Sequence, residues 1–87
     1  MEKLSDLPNI GPVAVENLRK VGIETPEQLR AVGAEEAWLR IRTQVDDGAC
    51  LHMLQGLKGA ELGIKKSLLS AEQKAALHFF FKKIIGG

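Results

Sequence analysis

The chain has 87 residues, 45% hydrophobic and 26% charged, with a formal net charge of +1. That length supports one domain with one core, which argues against a large cofactor enzyme with a deep, walled pocket. The apolar content excludes a disordered chain, and the single cysteine excludes an internal disulfide and suits a reducing compartment.

The sequence predicts an all-α, single-domain bundle of five to six short helices spanning 1–87, because no segment alternates with period two and β-branched and aromatic residues are sparse. A first turn over Leu4–Leu7 ends at Pro8. Gly11 caps a helix over Pro12–Val21, with proline at the first helical position. Thr25 and Gln28 form a capping box that opens a helix over Pro26–Val32. A fourth helix covers Glu35–Gln44, with Trp38 and Leu39 directed to the core. Asp46 and Asp47 are expected to cap a fifth, which reaches Leu62 and carries Leu51, Met53, Leu54 and Leu57 for the core. Gly56 and Gly59 within it each cost about 1 kcal/mol relative to alanine, so another part of the chain should pass close by. Ser70 and Gln73 repeat the capping box before a helix over Ala71–Ile85. Its stripe of Leu77, Phe80, Phe81, Ile84 and Ile85, widened by Phe79, is expected to be core, with a surface contact as the alternative for Phe79. Gly22, Gly33 and Gly63 follow apolar-periodic stretches, where a left-handed residue ends a helix.

Charge is uneven along the chain. Residues 1–47 sum to −3 and residues 48–87 to +4. The basic half hints at a polyanion or an acidic partner. No apolar run approaches the length of about 18 residues that a membrane span needs, and no signal peptide is apparent, so a cytoplasmic protein without membrane contact is expected.

Catalytic patterns are missing. Cys50 and His52, two apart on a helix, point about 200° away from each other, so they make neither a nucleophile–base pair nor a metal site. His78 has no second ligand at suitable spacing, and no Walker-type phosphate loop occurs. A non-enzymatic protein with no metal and no cofactor is expected.

The informative segment runs from Leu7-Pro8-Asn9-Ile10-Gly11-Pro12 to Val13-Ala14-Val15-Glu16-Asn17-Leu18. A short helix, a tight turn and a second helix make a hairpin over about residues 4–21, and it resembles the helix-hairpin-helix motif. Its N–H groups without intrahelical partners, at the positive end of a helix, suit one phosphate of a DNA backbone. The candidate phosphate-binding backbone is Asn9, Ile10, Gly11 and Val13, with Arg19, Lys20, Lys65, Lys66, Lys82 and Lys83 as candidate basic support. Two departures stand out. Asn9 replaces the motif's usual first glycine but tolerates positive φ. Val13 stands where a lysine or threonine is common, with Glu16 one turn later, so duplex binding should be weak and non-specific. The alternatives are a hairpin kept as a fold element and a protein-interaction module that docks a partner or a second copy.

Leu4-x-x-Leu7-Pro8-Asn9-Ile10-Gly11-Pro12, then Leu18-x-x-Val21-Gly22-Ile23-x-Thr25, Leu29-Arg30-x-x-Gly33-Ala34, Ala37-Trp38-Leu39-Arg40 and Leu54-x-Gly56-Leu57-x-Gly59, resemble the C-terminal domain of the TfoX/Sxy competence regulators. The resemblance implies an all-α domain containing a helix-hairpin-helix. In complete regulators it follows an N-terminal domain. It further implies a role in transcriptional control of natural competence, with the cyclic-AMP receptor protein as a partner.

Overall fold

The computed structural model describes residues 2–86. Helices α1 (Pro12–Lys20), α2 (Pro26–Val32), α3 (Ala34–Gln44), α4 (Leu51–Leu62) and α5 (Ala71–Gly86) are joined by short connections, with 3-10 turns at Leu4–Asp6 and Lys66–Leu68. Among the described residues there is no strand.

The boundaries follow local chemistry. At α2, the Gln28 N–H donates to Thr25 Oγ1 at 3.1 Å and the Thr25 N–H donates to Gln28 Oε1 at 3.2 Å. The second box is also closed: the Gln73 N–H donates to Ser70 Oγ at 3.0 Å and the Ser70 N–H to Gln73 Oε1 at 2.8 Å. Both α1 and α4 end in the paired backbone bonds that a glycine at positive φ permits. Gly63 (φ +78°) lets the Ile64 N–H reach the Gly59 carbonyl at 2.8 Å, and Gly22 (φ +82°) lets the Ile23 N–H reach the Leu18 carbonyl at 2.9 Å.

The expected cap of α4 is corrected. The Asp46 carboxylate accepts the Gly48 N–H at 2.9 Å and its carbonyl accepts the Ala49 N–H at 3.1 Å, so this acid closes a turn. Such a local side-chain bond competes with capping. The N-cap falls instead to Cys50, whose carbonyl accepts both the Leu54 N–H at 3.2 Å and the indole N–H of Trp38 at 3.1 Å.

Helix α4 packs on α2, α3, α5 and the turn Lys66–Leu68. The core joins Leu18, Ile23, Leu29, Trp38, Ile41, Leu54, Leu57 and Leu77, all essentially inaccessible. Trp38 lies edge-on to Phe80, with ring centroids 6.0 Å apart and planes at 70°, and 5.6 Å from Phe81. The apolar stripe of α5 is narrower than expected. Phe80, Phe81 and Ile84 are half-buried, Ile85 is exposed, and Phe79 is 74% exposed. Phe79 lies about 160° around the helix from Leu77, so a helix packed on one side cannot bury both.

One cap comes from a distant helix. Gly33 ends α2 and begins α3 with no side chain to offer, and the Glu61 carboxylate of α4 accepts the Ala34 N–H at 2.7 Å. Lys58 completes the cluster, 3.0 Å from Glu35 and 3.3 Å from Glu61. Burial on its own would lower the ammonium pKa, but hydrogen bonds and attraction to the two carboxylates outweigh it and hold the pKa above the usual 10.5.

Gly56 and Gly59 mark where the chain approaches α4. A Cβ on Gly56 would sit 3.6 Å from the Asn9 Cβ, an ordinary contact, whereas one on Gly59 would sit 2.5 Å from Asn9 Nδ2 and 2.6 Å from the Ile64 carbonyl oxygen. Gly59→Ala should therefore destabilise by about 2 kcal/mol or more in urea unfolding, because the Ile64 backbone has to move. Gly56→Ala should be neutral or stabilise by up to about 1 kcal/mol through helix propensity. A raised lysine pKa stabilises fully below the unfolded value of 10.5 and loses that stabilisation above it. Stability should thus fall above about pH 10.5, and the fall should be smaller in Lys58→Met, as read by urea midpoints at about pH 9 and about pH 11.5.

Candidate nucleic-acid interface

The turn between the first 3-10 turn and α1 depends on Asn9. Its φ is +69°, the left-handed region, which asparagine tolerates better than other side-chain-bearing residues. Its amide does more than tolerate the turn. Nδ2 donates to the Gly56 carbonyl at 3.3 Å and the Ile64 carbonyl at 3.0 Å, while Oδ1 accepts the Lys66 N–H at 3.0 Å. One side chain thereby ties the hairpin to the last turns of α4 and to the segment that follows it. The glycine that is usual in the motif would supply the φ but none of these bonds.

The tie uses none of the N–H groups at the start of α1. The Ile10 N–H donates to the Leu7 carbonyl at 3.4 Å, and the first bond into α1 is from the Val15 N–H to the Gly11 carbonyl at 3.0 Å. The N–H groups of Gly11, Val13 and Ala14 have no partner among the described residues. They stand at the positive end of the α1 dipole. Gly11 is exposed and Val13 is 74% exposed, so this backbone faces solvent.

The candidate residues separate in space. Lys66 shares a groove of about 370 Å³ with Asn9, Ile10 and Val13. Lys65 precedes it, exposed, at the start of the same 3-10 turn. Arg19 and Lys20 occupy the last turn of α1, eight and nine residues beyond Gly11, which is about 12 Å along a helix axis. Arg19 lies 4.0 Å from Glu16 and lines a different groove with Glu24 and Glu27. Lys82 and Lys83 are exposed on α5, which contributes no residue to the groove beside the hairpin. Three more residues belong to this region: Ala14 and Asn17, which the sequence did not mark as binding residues, and His52, which it marked only as an unsupported catalytic or metal candidate. Ala14 adds an unpaired N–H, while Asn17 and His52 line the groove. A polar residue one turn after Val13 and Ala14, next to Leu18 on the apolar side of α1, was a signal for Asn17. Cys50 and His52 are both exposed, and among the described residues no three Cys, His, Asp or Glu side chains cluster as metal ligands do. No described helix is long and apolar enough to cross a membrane.

The residue pattern of the TfoX C-terminal domain matches residues 1–80. The chain belongs to the TfoX C-terminal domain family. It is 36% identical over 76 residues to Protein Sxy of Escherichia coli (strain K12), an alignment that takes in 87% of this chain and 36% of that protein. The chain thus spans about a third of the curated relative's length. Two crystal structures of Listeria monocytogenes proteins are similar throughout. A triclinic form of an uncharacterized protein has a TM-score of 0.94 and 42% identity, covering 97% of this chain and 94% of that one. A tetragonal form of a protein of unknown function has a TM-score of 0.89 and 42% identity, covering 93% and 98%.

In this TfoX C-terminal domain, Asn9 combines the turn's φ with the tie to α4. Asn9→Gly should retain the φ, lose the three bonds and cost about 2 kcal/mol; Asn9→Ala should cost about 1 kcal/mol more for the strained φ. Urea denaturation of both variants reads the difference, and equal stability of Asn9→Gly and the native chain would remove the tie's importance.

Proposed function

We propose that this chain is a non-enzymatic binding module that acts in transcriptional regulation of competence genes through weak, sequence-independent contacts between its hairpin and duplex DNA phosphate. The observation that carries the reading is the row of unpaired N–H groups at Gly11, Val13 and Ala14, with Lys66 lining the adjoining groove. Backbone N–H groups at a helix start bind a phosphate without reading any base. Family membership supports the regulatory part of the proposal. With Val13 in place of a cation, few counterions are released, so affinity is low and falls with salt with a log–log slope of about −1 to −3.

A second reading rests on Phe79, 74% exposed on the outer side of α5, with Leu68 67% exposed. Exposed apolar side chains of this kind suit a protein partner, such as the cyclic-AMP receptor protein implied by the family resemblance or a second copy of the chain, with the hairpin as a fold element.

Gly11→Asp separates the two readings. Gly11 has an extended backbone (φ −102°) with nothing within 4 Å of an added Cβ, and aspartate is a good N-cap. Stability should hold or rise by a few tenths of a kcal/mol, roughly, while duplex affinity at about 50 mM salt drops at least tenfold, roughly, because a carboxylate occupies the phosphate position. Fluorescence anisotropy with a labelled duplex reads the affinity. No binding by the native chain at that salt would sink the DNA reading. Sedimentation of the native chain and a Phe79→Ser variant, alone and with the receptor protein, would then test the second.

A further inference from the structure

The groove beside the hairpin has the composition of a binding site. Its walls include Ile10, Ala14, Met53 and Leu57, and its volume of about 370 Å³ falls in the lower range of small-ligand pockets. Asn17 lines it from the middle of α1. That residue is only 9% exposed, yet its amide makes no hydrogen bond with any other described residue, and no polar atom of it is sealed from solvent. A buried amide normally finds partners inside the protein. Because Asn17 lines the groove, its unpaired amide, with one donor group and one acceptor, is available to a ligand there.

What surrounds the amide selects the ligand. Asn17 lies one helical turn from Val13 and Ala14, so the groove adjoins the unpaired N–H groups at the start of α1. Lys66 and the exposed His52 stand at its edge. A flat group with a donor and an acceptor on one edge, carrying an anion at one end, satisfies all of these features. A peptide side chain with its backbone amide would use the groove and leave the N–H groups and Lys66 without a counterpart.

We propose that the groove between α1 and α4 holds one unstacked nucleobase of a single-stranded nucleic acid, with the Asn17 amide pairing the base edge while the attached phosphate sits on the Gly11–Ala14 backbone beside Lys66. The proposal rests on the hairpin as the phosphate contact and adds the base site. A base in a duplex is stacked and paired and cannot enter, so single strands bind more tightly than duplexes.

The test uses the full chain, labelled with ¹⁵N, and an oligothymidylate of about 10 nucleotides, within the span of known single-strand sites. The single strand should bind roughly tenfold tighter than a duplex of equal length, and the Asn17 side-chain NH₂ resonances should shift on titration. Asn17→Leu should remove that preference and leave duplex affinity in place, whereas Gly11→Asp should weaken both. The resonance shift in the native chain keeps the test decisive should Asn17→Leu alter the fold. Equal affinity for single strand and duplex, or unmoved Asn17 resonances with duplex binding retained, overturns the base site and spares the hairpin reading. No binding to either nucleic acid overturns both. Thymidine monophosphate binding as tightly as the oligomer overturns the strand in favour of a free nucleotide. Shifts at Asn17 caused by a capped leucine peptide and not by the oligomer overturn the site in favour of a protein interface.

Discussion

The Asn9 amide holds the first hairpin against the end of α4, and the rest of the proposed surface depends on that hold. Its three hydrogen bonds cross 47 to 57 residues of sequence. At about 1 kcal/mol each, net of water, they form a substantial share of the stability of a small domain. The glycines of α4 follow from the same contact. Gly59 makes room for the amide and for the Ile64 carbonyl that accepts from it. Ile64 is in place because Gly63 takes a left-handed conformation and reverses the chain. The hairpin, the end of α4 and the Lys66 turn are thus one unit.

Much of this was legible in the sequence where the cause is local. The two capping boxes, the proline-started helices and the positive φ of Gly22, Gly33 and Gly63 each depend on residues a few positions apart. Gly56 and Gly59 signalled a close neighbour, although nothing local said which. Asn9 was legible as a residue at positive φ; its partners were not, because they lie half the chain away. Asp46 misled for a related reason. A carboxylate near a helix start can cap it or close its own turn, and here Gly48 took the second option. The Phe79 side of α5 was read as core because a stripe of aromatics does not reveal how many helices will cover it.

The candidate site illustrates the difference between net and local charge. The basic C-terminal half does not act as a block. Lys66 reaches the groove beside the hairpin through its place after α4, whereas Arg19, on the hairpin's own helix, is directed toward Glu16. Weak phosphate contacts require only that local arrangement. The proposed contacts are consistent with an overall charge of +1 and would make affinity sensitive to ionic strength. Asn17 shows the complementary point for polar groups. A single amide left unpaired in a half-buried groove says more about a ligand than the count of lysines does.

The most direct measurement is native-state amide hydrogen exchange, residue by residue, on the unliganded chain. If Asn9 ties the hairpin as described, the Lys66 N–H is strongly protected, because its acceptor is the Asn9 carboxamide and it opens only when the tie breaks. In the same experiment the N–H groups of Gly11 and Val13 exchange freely from the folded state. A freely exchanging Lys66, or strong protection at Gly11 and Val13, would contradict the account.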